Sequence, residues 1–235
     1  MPKSRLPVRT LLCAIAVALA SRASSALAQT VAVTPPDADR DGIPDQWERS
    51  GHGPLDPRIH DVRVGRHDFV LIAVRRPGLT QDKADASLAR VKAFFARVPV
   101  RNPDGTTGIN MVVVNGPVLS DADRTTDYKE VKVRGMPPEW RGIAHGYLLE
   151  NVTNVGGQTS ASDWSASGHD WHTIVHELGH QFGLQHTPPG SGESPLFPSL
   201  MNYTYSYSFN GDANAIQFSS GEFRSARLNE TRLSE

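Results

Sequence analysis

The eleven residues 176–186, HELGHQFGLQH, constrain the fold more tightly than any other part of this sequence. In an α-helix each residue turns about 100° around the axis, so His176 and His180 lie about 40° apart and one turn apart along it. On a continuous helix His186 would point about 240° away from His180. Gly183 lies between them, and glycine accepts the left-handed conformation that ends many helices. We therefore predict a helix that ends near Gly183 and lets the three imidazoles meet.

Three neutral imidazoles that meet at one point form a zinc site with a free fourth position, which is typical of catalytic rather than structural zinc. Glu177, about 100° around the helix from His176, lies beside the metal and is placed to act as a general base. The alternative is a set of surface histidines on an amphipathic helix, but the third histidine and the glycine at fixed offsets favour zinc. We expect His169 and His172, which precede the motif, to be exposed rather than to form a competing site.

The motif resembles that of the metzincin clan of zinc endopeptidases, and SLMNY, residues 199–203, resembles the Met-turn of that clan. The resemblance implies that Met201 packs beneath the histidines without binding the metal. It also implies that Tyr203 ligates zinc at rest and hydrogen-bonds the oxyanion during turnover. For either residue, simple packing is the alternative. Thr187 follows the third histidine, where many families of the clan carry Asp, Glu, Pro or Ser and pappalysin-like bacterial members often carry Thr.

The resemblance implies an α+β or α/β fold with a helix-backed, twisted mixed sheet in an upper subdomain, an active-site helix and a small irregular lower subdomain. It implies hydrolysis of a protein or peptide substrate, with Glu177 passing a proton from a zinc-activated water to the leaving amine. A strand predicted at residues 143–149 would be the edge strand that holds the substrate by β-addition. A catalytically silent zinc- and calcium-binding adhesion or binding module with the same fold is the alternative, and the intact Glu177 favours the enzyme.

Hydrophobic patterns predict the elements of a domain over residues 67–235. Residues 69–74 are a continuous apolar run, as expected of a strand buried on both faces. Apolar residues at helical spacing from Leu88 to Val98, with Thr80 as N-cap, predict a helix, and residues 111–114 predict a second buried strand. Together they form a right-handed crossover unit. Residues 143–149 predict a strand near an edge, the Gly- and Ser-rich residues 155–171 a loop, and residues 222–235 a short terminal helix.

Residues 37–48, DADRDGIPDQWE, match the D-x-D-x-D-G-x5-E pattern of calcium loops without a mismatch. The oxygens that the pattern offers come from the side chains of Asp37, Asp39, Asp41, Asp45 and Glu48 and from the carbonyl of Ile43, with Gly42 for the sharp turn. The alternative is a solvated acidic tether. Only one copy is present and no apolar helix precedes it, so we predict a structural Ca²⁺ site rather than a paired sensor. Residues 29–66 are otherwise poor in apolar runs, which predicts an N-terminal extension outside the core.

Residues 1–28 have the pattern of a secretory signal peptide, with basic residues, an apolar run at 11–20 and a small-residue motif ending at Ala28. The run is well short of the roughly 20 residues that a membrane anchor needs. Cleavage after Ala28 removes four basic residues and no acidic ones, so the net charge falls from −1 to −5, which argues against a nucleic-acid partner. It also removes Cys13, the only cysteine, so stability depends on packing and bound metals. We therefore expect a secreted monomer, extracellular or periplasmic, that binds zinc and calcium.

Overall fold

The computed structural model describes residues 35–120, 128–150, 157–160, 164–168, 170–186, 199–205, 212 and 217–218. The predicted signal peptide, the predicted terminal helix, His169 and Thr187 lie outside the described residues, as do most of the residues after His186. Within these ranges, no helix is long and apolar enough to cross a membrane. The elements in chain order are α1 (Asp45–Ser50), α2 (Pro57–His60), β1 (Asp68–Arg75), α3 (Gln81–Phe95), β2 (Asn110–Val118), α4 (Tyr128–Gly135), a 3-10 turn (Pro138–Trp140), β3 (Gly146–Glu150), β4 (Gly157–Ser160), β5 (Trp164–Ser167) and α5 (Trp171–Gln181).

Five strands form one mixed sheet in the order β2, β1, β3, β5, β4. Strand β1 pairs in parallel with β2 and β3, β3 pairs in parallel with β5, and β4 pairs antiparallel with β5. This confirms the α+β class with a mixed, helix-backed sheet, and it confirms the strands predicted at 69–74 and 111–114 with the helix between them. Helix α3 ends at Phe95, so Val98 is buried beyond the helix, and Thr80 occupies the N-cap without a side-chain hydrogen bond.

The prediction that the strand near residues 143–149 lies at an edge is wrong. Strand β3 lies between β1 and β5, and all five of its residues are buried. The glycine that suggested an edge, Gly146, is needed for close packing, because a Cβ there would lie 2.6 Å from Gln181 Oε1 and 2.7 Å from the ring of Phe69. The strand at this end of the sheet is β4 instead.

The prediction of a loop over residues 155–171 is also wrong for much of that range. Residues 157–160 and 164–167 are β4 and β5, and residues from 171 onward already belong to α5. Strand β4, GQTS, contains no apolar residue, and β5, WSAS, alternates over only four residues with one large apolar side chain, so neither gives a clear strand signal. They form the end of the sheet that contacts α5.

The expectation that the core begins after residue 66 is wrong as well. Alternate residues of a strand face opposite sides of the sheet, so Leu71 and Ile72 belong to two different apolar clusters. The cluster of Leu71 includes residues of α3 and α5. The cluster of Ile72 includes Ile43, Leu55 and Val62 from the N-terminal segment, all of them at most 3% exposed. These residues follow no helical or strand period, which is why their burial is invisible in the sequence.

Candidate metal centre and active site

Backbone hydrogen bonds close the C-terminal end of α5. The helix stops at Gln181, and Gly183 adopts a left-handed conformation with φ of 83°. The Leu184 N–H donates to the Gly179 carbonyl at 2.9 Å and the Gly183 N–H to the His180 carbonyl at 3.0 Å. These two bonds form the Schellman arrangement that commonly closes a helix at glycine. The helix therefore ends where the sequence predicts, and the chain turns back toward the face that carries the first two histidines.

The structure brings His176, His180 and His186 together. The Nε2 atom of His186 lies 3.1 Å from Nε2 of His176 and 3.1 Å from Nε2 of His180. Both helix histidines turn the opposite ring nitrogen to a backbone carbonyl, with His176 Nδ1 2.9 Å from Leu200 O and His180 Nδ1 2.8 Å from Leu184 O. A carbonyl only accepts, so these Nδ1 atoms carry the protons and the Nε2 lone pairs face the centre of the cluster.

The donor set fits zinc. Nitrogens bound about 2.0–2.1 Å from a tetrahedral zinc would lie about 3.3 Å apart, close to the separation seen here. Burial lowers the pKa of His176 to about 4 and also lowers the pKa of His180 and of His186, which keeps the imidazoles neutral. If His186 Nε2 carried a proton, it could donate a good hydrogen bond to only one of the other two Nε2 atoms. A single cation would instead accept a lone pair from each of the three nitrogens.

The turn predicted from SLMNY packs against the helix that carries His176 and His180. Met201 is fully buried, and its sulfur packs so closely on Gly179 that a Cβ there would lie 2.6 Å from Sδ. The preceding residue, Leu200, provides the carbonyl that orients His176. Tyr203 lies beside the cluster, with its ring centroid 5.6 Å from that of His176 and 4.5 Å from that of His186. Burial and the nearby Glu177 carboxylate raise the pKa of Tyr203.

Glu177 follows His176 in α5 and is only 6% exposed. Its carboxylate Oε2 accepts a 2.5 Å hydrogen bond from the Thr159 hydroxyl. Burial raises the pKa of Glu177 to about 7, and the bond from Thr159 partly opposes that rise. A carboxyl group with this pKa can both accept and release a proton near neutral pH.

The surroundings of Glu177 come from β4 and β5. A Cβ at Gly157 would collide with the Glu177 carboxylate, so the glycine makes room for it. The Ser165 hydroxyl lies 3.2 Å from the backbone carbonyl of Glu177, and Gln181 Nε2 donates to Ser165 Oγ at 2.6 Å. The roles of Gly157, Thr159 and Ser165 were not predicted, because a Gly- and Ser-rich stretch gives no signal that separates strand from loop.

The first turn of α5 corrects one expectation about the neighbouring histidines. Asp170 is the N-cap, and its carboxylate accepts from the Thr173 N–H at 3.0 Å. His172 is 7% exposed rather than exposed, because its ring packs on Trp171 with centroids 3.8 Å apart and its Nδ1 lies 3.2 Å from Asp170 Oδ1. Among the described residues it belongs to no cluster of metal-ligating side chains.

The acidic loop places its first three predicted ligands together. Ligand atoms of Asp37, Asp39 and Asp41 lie within 4.8 Å of one another. The Asp37 carboxylate accepts from the N–H groups of Arg40 at 2.7 Å and Gly42 at 3.0 Å, which shapes the turn. Asp41 Oδ1 accepts from the N–H of the next predicted ligand along the chain at 2.7 Å, and the side chain of that ligand lies in the core. That residue is Ile43, and its carbonyl remains a predicted ligand.

Asp45 and Glu48 differ in their placement. The Asp45 carboxylate accepts from the Ala38 N–H at 2.8 Å and pairs with Arg49 at 3.0 Å, and within the described residues it belongs to neither acidic cluster. Glu48 forms a second cluster with Asp41 and with Asp68, the first residue of β1. Burial raises the pKa of Asp41 and of Glu48 to about 8 each. Asp68 was not predicted to join this loop, because it lies 20 residues beyond the end of the loop pattern.

Comparisons with known proteins bear on the region of the histidine cluster. Residues 120–219, less than half of the chain, match the Reprolysin_5 family model, described as metallo-peptidase family M12. No curated protein matches the chain. Among solved structures, metalloproteinase-II from Bacteroides fragilis aligns with 13% identity and a TM-score of 0.37, over 52% of this chain and 44% of that one. The family match covers the histidine cluster, the turn at Met201 and strands β4 and β5. The match supports the interpretation of the chain as a metallopeptidase. This kind of enzyme implies zinc as the metal and a protein or peptide as the substrate.

Proposed function

We propose that the protein is a secreted zinc-dependent endopeptidase of the metzincin clan, with zinc held by His176, His180 and His186. The observation that carries this proposal is the convergence of three Nε2 atoms whose rings are oriented by backbone carbonyls. Met201 and Tyr203 support the clan, because one packs on the ligand helix and the other lies beside the histidine rings. Thr187 would relate the chain to pappalysin-like members of that clan.

In the proposed reaction Glu177 is the general base. When bound, zinc lowers the pKa of a water and polarises the scissile carbonyl. Glu177 accepts the proton of that water and passes it to the leaving amine, for which its raised pKa is suited. The bond from Thr159 holds one carboxylate oxygen, which leaves the other to receive the proton. Tyr203 is close enough to the histidines to donate to the oxyanion.

The substrate would bind along β4 rather than along β3. Strand β4 pairs with β5 on one side only, and among the described strands it has no partner on the other side. An extended peptide can pair with such an edge through main-chain hydrogen bonds. Because Thr159 of β4 contacts Glu177, a peptide on this edge would pass close to the general base. The free edge accepts the interior of a long chain, which favours endopeptidase action.

We also propose that residues 1–28 direct secretion and are removed, and that the mature protein is a monomer. We further propose that the acidic loop binds Ca²⁺ through Asp37, Asp39, Asp41 and Glu48. The support is that two of these carboxylates, Asp39 and Glu48, are buried and keep oxygens without a hydrogen-bond partner. Oxygen-only donors of this kind suit a hard cation. Mass spectrometry of the secreted protein would test the cleavage near Ala28.

The peptidase proposal is tested with the wild type, Glu177→Gln and the control Glu139→Gln, which changes an exposed glutamate in the 3-10 turn. Zinc content is measured by elemental mass spectrometry, and hydrolysis with casein, gelatin and quenched-fluorescence peptides. We expect one zinc per chain in all three proteins. Hydrolysis should be lost in Glu177→Gln, retained in Glu139→Gln and abolished in the wild type by a zinc chelator. A zinc-loaded wild type that cleaves none of these substrates would instead support the catalytically silent module.

A further inference from the structure

Buried acidic side chains from two parts of the chain meet where the N-terminal segment contacts the first strand. Asp39, Glu48 and Asp68 are each at most 4% exposed, and Asp41 lies between them. Ligand atoms of Asp41, Glu48 and Asp68 lie within 4.8 Å of one another. Like charges at such distances in a buried site repel strongly, so these carboxylates can all be ionised together only beside a compensating positive charge.

The protein side chains described here do not provide that charge for Glu48. Arg66 is the one buried Lys or Arg among the described residues, and its guanidinium pairs with Asp61 and with Asp68 at 3.0 Å each. Both carboxylate oxygens of Glu48, which is 3% exposed, have no hydrogen-bond partner, and neither has Asp39 Oδ2. A buried carboxylate without donors is the arrangement that a metal ion would resolve.

Asp68 is held in a fixed orientation toward this cluster. Its N–H donates to Asp41 Oδ2 at 2.6 Å. Its Oδ1 accepts from Arg66 at 3.0 Å and from Asn110 at 2.7 Å, which occupies both lone pairs of that oxygen. Its Oδ2 accepts only the Arg63 N–H, at 2.9 Å, among the hydrogen bonds of the described residues, and so retains a lone pair. Oδ2 is therefore the atom that can bind a cation.

We propose that Asp68 is a ligand from outside the loop, and that it shares one Ca²⁺ with Asp41 and Glu48. The inference rests on the calcium-binding role proposed above for the loop and is independent of the peptidase proposal. The donors are all oxygens, and calcium takes six to eight of them in a flexible shell. Asp37, Asp39 and the carbonyl of Ile43 would supply further oxygens of that shell.

The consequence is that the cation cross-links the N-terminal segment to the sheet. Residue 68 opens β1, which lies between β2 and β3. The loop leads into the segment whose Ile43, Leu55 and Val62 cover one face of the sheet. A loop site without Asp68 would order only residues 37–48. A site that includes Asp68 would make the attachment of the whole segment depend on calcium.

The test is calcium titration by isothermal calorimetry on zinc-loaded, calcium-depleted wild type, Asp68→Asn, Glu48→Gln and Asp61→Asn. The control, Asp61→Asn, also removes a carboxylate that pairs with Arg66, but this carboxylate is exposed and belongs to no acidic cluster of the described residues. We expect Asp68→Asn and Glu48→Gln to raise the calcium Kd by about tenfold or more, and Asp61→Asn to leave it unchanged. The calcium-dependent rise in Tm should shrink in parallel.

Hydrogen exchange on the wild type keeps the test decisive if Asp68→Asn fails to fold. Calcium should slow exchange of the Asp68 N–H, which donates to Asp41, and of the Arg63 N–H, which donates to Asp68. Protection confined to residues 37–48, or an unchanged Kd in Asp68→Asn beside a weakened Glu48→Gln, would overturn the role of Asp68 and leave the loop site intact. A wild type that binds no calcium would overturn both, without consequence for the zinc site.

Discussion

Replacing Gly183 with alanine tests the link between the helix end and the zinc site. Gly183 has φ of 83°, a conformation that costs an L-residue with a Cβ roughly 1–2 kcal/mol. Without metal, the Gly183→Ala chain can relax from this conformation, and the two hydrogen bonds that close the helix would then be lost. His186 would move away from His176 and His180. Binding zinc would require the chain to return, so the conformational cost would appear in the affinity for zinc.

The size of the effect follows from that cost. Each 1.4 kcal/mol corresponds to a factor of ten, so a penalty of roughly 1–2 kcal/mol predicts zinc affinity about 5- to 30-fold weaker. Gly183→Asn should bind zinc nearly as the wild type does, because asparagine tolerates the left-handed conformation.

The assay is competition for zinc against a chromophoric chelator, with helix content followed by circular dichroism. Gly142→Ala is the matched control: Gly142 has φ of 80°, and no atom lies within 4 Å of the Cβ that alanine would add. Gly142→Ala should lower the free energy of unfolding by a similar amount and leave zinc affinity unchanged. If Gly183→Ala binds zinc as tightly as the wild type, or if Gly142→Ala weakens zinc binding equally, the helix end does not control the zinc site.

Two further predictions concern buried carboxylates. Thr159→Val removes the donor to Glu177 Oε2, and a hydrogen bond to a charged group contributes about 1.5–3 kcal/mol, so kcat should fall about tenfold or more. KM and zinc content should not change, and Thr159→Ser should restore kcat; an unchanged kcat in Thr159→Val would contradict this role. Burial raises the pKa of Glu150 from 4.5 to about 8, so its contribution to stability is complete below pH 4.5 and is lost as pH rises through about 8. In denaturant unfolding, the free energy of unfolding of the wild type should fall between these pH values. The fall should be smaller in Glu150→Gln and unchanged in the control Glu139→Gln. Parallel pH profiles for the three proteins would show that Glu150 is not the group responsible.

The parts of the fold that the sequence predicts are those with a local signal. The apolar run of β1 is typical of a buried strand, and the apolar spacing around Val91 has the period of a helix. Both elements lie where these patterns predict them. The three histidines span eleven residues, so helix geometry and one glycine suffice to infer their convergence. The Met201 turn carries its own short pattern. No knowledge of distant contacts was needed for any of these.

The parts that were missed depend on contacts between distant segments. Asp68 joins the acidic cluster across 27 positions from Asp41, and Thr159 reaches Glu177 across 18. Strand β3 resembled an edge strand because Gly146 weakens its apolar pattern, although the glycine actually admits the side chains of Phe69 and Gln181. Polarity in a single segment cannot distinguish exposure to solvent from a buried contact with a partner far along the chain.

The proposed metal ligands and the proposed general base are therefore positioned by different parts of this chain. The histidines are positioned by α5, its closing turn and the carbonyls of Leu184 and Leu200, all within residues 170–201. The carboxylate of Glu177 is positioned by β4, where Thr159 donates to it and Gly157 leaves it room. A change in β4 could displace the base while all three ligands remain, so an intact HExxH motif is evidence for zinc but not by itself for catalysis. What favours catalysis here is that a strand outside the motif provides both the space and the hydrogen bond that Glu177 requires.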